Sequence, residues 1–180
     1  MLFHSADSIS YLGRTLHINA PARFPKAEEI LILTKKTELP ENIKEKTRIT
    51  TEEIAKSAGL RKFLKFSEKT SVKVGSFVIK MAEISPDKEK YNIFINDSAY
   101  FLTFLPGNFF PFRENTTLLV PADPEYFSES DLDRIAGFIS ETRPQTTVIS
   151  GNYSERLMAL LGDTQNVEIK NEISQESLFA

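Results

Sequence analysis

The sequence predicts an α/β protein: a mixed sheet with a parallel, wound βαβαβ C-terminal half and a more antiparallel N-terminal half. Three observations predict it. Short apolar runs at residues 91–95, 117–120 and 147–149 stop abruptly at Asn96-Asp97-Ser98, Pro121-Ala122-Asp123 and Ser150-Gly151-Asn152. The last two are each followed by an amphipathic helix pattern, which is the layout of a wound sheet with its ligand crevice at the carboxyl ends of the strands. Upstream, residues 71–84 alternate with period two, the mark of a half-covered antiparallel strand.

The elements follow in order. Residues 8–19 place Ile9, Tyr11, Leu16 and Ile18 around Gly13-Arg14 and read as a β-hairpin within 1–28. Residues 29–33, Glu-Ile-Leu-Ile-Leu, form a continuous apolar run typical of a strand covered on both faces. Thr50-Thr51-Glu52-Glu53 reads as a helix start, with Thr50 as cap and Glu53 closing a capping box, and Gly59 suits the position after the helix end. Leu60, Phe63, Leu64 and Phe66 read as either a second helical turn or an irregular apolar segment. Within 71–84, Gly75 marks a bulge or bend, and Ser85-Pro86-Asp87-Lys88 is turn chemistry that returns the chain at 91–95.

The unit over 116–170 is the most legible. Ser128 and Ser130 are candidate caps for a helix with Leu132, Ile135, Ala136 and Ile139 on one face, and Pro144 follows its end. Asn152 or Ser154 caps a second helix carrying Leu157, Leu160 and Leu161, closed by Gly162. A last strand falls at 167–169, and residues 171–180 form a polar tail. The 180 residues fit a single α/β domain spanning 1–180.

Composition narrows the functional classes. The net charge of −3 supplies no field to recruit nucleic acid or an anionic membrane, and neither is expected as a partner. No apolar run approaches the roughly 20 residues of a membrane span. The absence of Cys removes disulfides, thiolate metal sites and cysteine nucleophiles, and with no apparent signal peptide it points to a cytoplasmic protein. His4 and His17 both lie near the N-terminus, so a Ser-His-Asp arrangement would need one of them to reach a serine such as Ser150, and His17 reads as structural. No phosphate loop, dinucleotide fingerprint or HExxH is present. No residue set names a cofactor or a resident metal.

Two sets of candidate residues remain. The first is an anionic-ligand site at the strand ends, built from Asp97, Asp123, Ser150, Gly151 and Asn152. The acidic residues Asp123, Glu125, Glu129, Asp131 and Asp133 serve there either Mg²⁺ or the dipole of a helix N-terminus, and Lys35-Lys36 face either a phosphate or solvent. The second is the aromatic segment 94–112. The chain holds 14 Phe and no Trp, and Tyr100, Phe101, Phe104, Phe109, Phe110 and Phe112 fall here. Tyr100, Phe101, Phe104 and Leu105 have helical spacing until Pro106-Gly107 breaks it. So apolar a segment is buried either in its own core or against a partner. The expected function is a non-catalytic binding or assembly protein, with itself or another protein as partner. The alternative is a small α/β enzyme or sensor that takes a phosphorylated metabolite or nucleotide at the carboxyl edge.

Overall fold

The computed structural model describes residues 1–19, 29–40, 48–109, 111–164 and 166–170. The mixed α/β class is present, with the strands divided between two sheets. β1 (Leu2–Ser5), β2 (Ser8–Tyr11), β3 (Arg14–Ile18), β4 (Ile30–Ile32), β5 (Ile49–Thr50) and β6 (Leu64–Lys65) form a six-stranded sheet in that order. It is antiparallel from β1 to β3 and parallel from β3 to β6. The hairpin of 8–19 is thus β2–β3, with Leu12 and Gly13 in its turn. The segment around Leu64 is a short strand rather than a helical turn.

β7 (Ser71–Val74), β8 (Phe77–Ile84), β9 (Tyr91–Ile95), β10 (Ala99–Phe101), β11 (Thr117–Pro121), β12 (Thr146–Ser150) and β13 (Val167–Ile169) form a seven-stranded sheet. It is an antiparallel meander from β7 to β10 and parallel from β10 to β13. Helices α2 (Leu132–Thr142) and α3 (Ser154–Leu161) make the two crossovers of the predicted βαβαβ unit, while α1 (Glu52–Ser57) belongs to the N-terminal part. No described helix is long and apolar enough to cross a membrane.

Several local assignments shift by a residue or change type. The cap of α1 is Thr51, whose hydroxyl accepts from the Ile54 amide. Thr50 is the end of β5, and its hydroxyl donates to the Leu33 carbonyl instead. Gly75 is the first residue of a two-residue hairpin turn, since Val74 and Phe77 are direct partners. The N-cap of α3 is Tyr153, without a side-chain bond, and the Ser154 hydroxyl donates to the Gly151 carbonyl. Tyr100 and Phe101 lie in β10 and not on a helix, so they point to opposite faces of the sheet.

Those two faces have different coverings. The row Met81, Ile93, Phe101, Leu119 and Val148 faces the N-terminal sheet. There Tyr11 meets Phe77 and Phe66 meets Tyr91, with ring centroids 6.3 and 5.6 Å apart. The row Lys80, Phe94, Tyr100, Leu118 and Thr147 faces the helices. α2 and α3 shield its parallel end, where Leu118 is fully buried, but over the meander Phe94 is only half-buried and Lys80 is exposed.

The parallel pair β10–β11 is joined by the 15 residues between Phe101 and Thr117, none of them in a described helix. This aromatic crossover takes the place of a third covering helix. Phe109 and Phe112 meet Phe138 of α2 nearly edge-on at 5.0 and 6.0 Å, and Phe112 meets Tyr100 at 5.0 Å. Buried Asn92 holds its start: the side-chain oxygen accepts from the Thr103 and Phe104 amides at 2.7 and 3.2 Å, and the side-chain nitrogen donates to the Phe104 carbonyl. Its other end is tied by the Phe112 amide to the Thr142 carbonyl, 2.7 Å. A crossover without internal helix bonds needs such borrowed partners, because buried peptide groups left unpaired are costly.

Candidate functional site

Of the residues expected to converge on an anion, Asp97 is not brought to the other four. β9 runs antiparallel to β10, whereas β11 and β12 run parallel to it. The carboxyl end of β9 is therefore at the opposite edge of the sheet from those of β11 and β12. Asn96 and Asp97 sit in the hairpin turn at φ 51° and 52°, a conformation that Asn and Asp tolerate better than most residues. Asp97 binds Lys80, at 2.8 and 2.9 Å to its two oxygens.

At the far edge, Asp123 and residues Ser150, Gly151 and Asn152 do meet, and each makes hydrogen bonds within the chain. The Asp123 carboxylate accepts the Asn152 amide at 2.8 Å, the Tyr153 amide donates to the Ala122 carbonyl, and the Ser150 hydroxyl accepts the Ala6 amide at 3.0 Å. A carboxylate of the chain itself thus sits where a ligand anion was expected. The acidic run nearby is also local: Asp131 takes the Ser128 amide and hydroxyl in a capping box ahead of α2.

Lys35 does not face solvent. It is buried, donates to the Glu125 carbonyl at 2.8 Å and lies 4.1 Å from the centre of the Tyr126 ring. Burial lowers its pKa below the ordinary lysine value, with Glu125 opposing the shift. It ties the two sheets together at this edge, as does the buried hydroxyl chain in which Asn19 donates to Thr34 and Thr34 meets Thr103 at 2.8 Å. Lys36 instead pairs with Glu89. Among the described residues, no cluster of His, Asp and Glu is arranged to hold a metal.

An open groove lies on the helix-side face, between the aromatic crossover and β8. Its volume is about 510 Å³. That is within the roughly 300–1,000 Å³ usual for ligand pockets. Phe94 and Tyr100 form its floor, in edge-on contact at 4.9 Å, and Phe112 and Phe138 form one wall. Pro106, Asn108 and Pro111 of the crossover close the top, and Lys80, Glu83, Asp97 and Arg113 bring charge to its margin.

Of the aromatic candidates, Phe112 thus lines the groove. Phe109 braces it through Phe138, and Phe104 is half-buried at the start of the crossover. Tyr100 is buried at the groove floor, where burial raises the pKa of its hydroxyl. Phe101 is wholly buried on the other face and cannot touch a partner while the chain is folded. Phe110 lies outside the described residues.

Glu83 is a groove residue that the sequence reading missed. A β-bulge between Met81 and Glu83 inserts Ala82, so that Glu83 pairs with Asn92 and Ile84 with Tyr91. Strict alternation would have put Glu83 inward with Met81; the extra residue re-aims it to the groove side. The signal is a phase slip: Phe77, Ile79 and Met81 keep step, but the next inward apolar residue is Ile84 and not residue 83. Among the described residues the half-buried Glu83 carboxylate has no hydrogen-bond or ion-pair partner, and burial raises its pKa above the ordinary glutamate value.

A raised folded-state pKa means that the charged form opposes folding. The cost grows as pH rises from the unfolded value of about 4.3 and is full above the raised folded value. Glu83→Gln is therefore expected to raise Tm by roughly 1–2 °C at pH 7.5 and to change nothing near pH 4. A pair of thermal unfolding scans checks this. An equal gain at both pH values would rule out the charge as its origin.

The fold and groove define a mixed α/β protein with two sheets and a groove lined by aromatic side chains. Compared with the models of known protein families and with curated proteins, the sequence matches none.

Proposed function

We propose that this chain is a non-catalytic binding protein that docks a polypeptide partner, another protein or a second copy, on its aromatic crossover. The observation that carries this reading is the groove of about 510 Å³ between Phe94, Tyr100 and Phe112. Aromatic side chains are the anchors around which protein interfaces concentrate their energy. The groove offers a recessed apolar floor and a charged margin, but no nucleophile–base pair and no oxyanion donors facing one another. At the carboxyl edge, where the enzyme or sensor alternative would work, the Asn152 amide already has Asp123 as its acceptor.

Ala82 is exposed and lines the groove, so Ala82→Trp fills it without removing any core packing. Short apolar peptides are expected to shift the NMR signals of Phe94, Tyr100 and Phe112 in the full chain, and Ala82→Trp should abolish those shifts at unchanged Tm. Sedimentation velocity on both proteins identifies a second copy as the occupant if Ala82→Trp converts a dimer to monomer. Peptide shifts centred on Asp123 and Asn152, or a response indifferent to Ala82→Trp, would overturn the reading.

A further inference from the structure

The groove has a sign. Lys80 and Asp97 neutralise each other at one end, with the Lys80 ammonium turned to the β9–β10 turn by two contacts of 2.8 and 2.9 Å. Glu83 projects to the groove side from the other end of β8, placed there by the bulge, and no cation among the described residues pairs with it. Among the described residues Arg113 also has no ion pair, but it is exposed and keeps its hydration on the loop four residues before β11. The unmet electrostatic demand of the groove is therefore for a cation at Glu83.

Building on the docking reading above, we infer that the partner segment presents a lysine or arginine whose aliphatic stem lies across Phe94, Tyr100 and Phe112 and whose charged head pairs with Glu83. Both halves of that side chain are matched. Long basic side chains lay their methylenes on apolar surface while keeping the head polar, and a cation near an aromatic face gains from the ring quadrupole. A carboxylate already partly stripped of water gains more from a partner than an exposed one does. The burial that raises the Glu83 pKa is the same desolvation that an incoming cation would compensate.

The test uses the full chain and capped tetrapeptides acetyl-Leu-Phe-Xaa-Leu-amide with Lys, Gln or Glu at Xaa, titrated by NMR. On the natural protein the Lys peptide is expected to bind about tenfold more tightly than the Gln peptide, as a charge-assisted bond supplies. On Glu83→Gln, which removes an uncompensated charge and should fold at least as well, the two peptides should bind alike. Equal binding of Lys and Gln peptides in the groove of the natural protein overturns the cation assignment and leaves the docking reading standing. Tightest binding of the Glu peptide overturns it in favour of Arg113 as the anchor. If no peptide perturbs the groove, the docking reading itself falls and takes the assignment with it.

Discussion

Phe101→Ala is expected to cost about 3–5 kcal/mol, the range for truncating a buried Phe, and to leave a chain that is largely unfolded or loosely packed at 37 °C. Phe101 is fully buried on the face between the sheets, with Ile93 and Leu119 as its direct strand partners and the Tyr126 ring at 6.0 Å. No neighbour on two hydrogen-bonded strands can collapse into the cavity without moving the backbone. Phe109→Ala, eight positions past the end of β10 and half-buried against Phe138, should cost only about 1–2 kcal/mol for the lost contact area and edge-on pair. Urea titration of both variants decides it. If the two losses are equal, or Phe109→Ala costs more, the division of the aromatic segment into core and groove support is wrong.

Gly151→Ala is expected to lose about 3 kcal/mol or more, unusually much for a single added methyl. The residue sits at φ +107°, where an L side chain is strained, and an added Cβ would lie 2.3 Å from the Asp123 carboxylate oxygen and 2.8 Å from the Ala122 carbonyl oxygen. The carboxylate could swing aside only by giving up the Asn152 amide. Combining the change with Asp123→Ala should not restore stability, because the Ala122 carbonyl remains and the amide loses its acceptor. Chemical denaturation of the single and double variants checks this, and a single variant within about 1 kcal/mol of the natural protein would contradict the close packing. A consequence for ligand studies is that substitution at Gly151 reads out folding and not binding.

The C-terminal unit was legible because its signals are local and redundant. Leu132, Ile135 and Ile139 repeat at helical spacing, Gly162 closes α3, and each strand is a short apolar run ending in polar residues. Asp97 was grouped with the wrong sheet edge for a related reason. Asn96-Asp97-Ser98 ends a run as Ser150-Gly151-Asn152 does, yet Asn and Asp serve equally as strand-end ligands and as turn residues at positive φ. Strand direction decides between these roles, and it depends on long-range pairing that no local pattern encodes. Phe101 and Tyr100 fitted a helical period only because the stretch is apolar enough to fit either period; three residues of β10 are too few to distinguish two from 3.6. Glu83 was hidden by a single inserted residue, the smallest event that reverses which side of a strand a residue faces.

The order of pairing in the seven-stranded sheet also bears on how the chain assembles. β7 to β10 are joined by short turns, so each can pair with its sequence neighbour at small loop-closure cost. From β10 onward every pairing is parallel and waits for a crossover, the first of which has no helix to shorten its path. Lys80, Glu83 and Phe94 come from the early-pairing strands, whereas Phe112, Arg113 and Phe138 arrive only when the first crossover and α2 dock. The groove is thus complete only once the first crossover and α2 are docked on the meander, so occupation of it is expected to hold those two parts together.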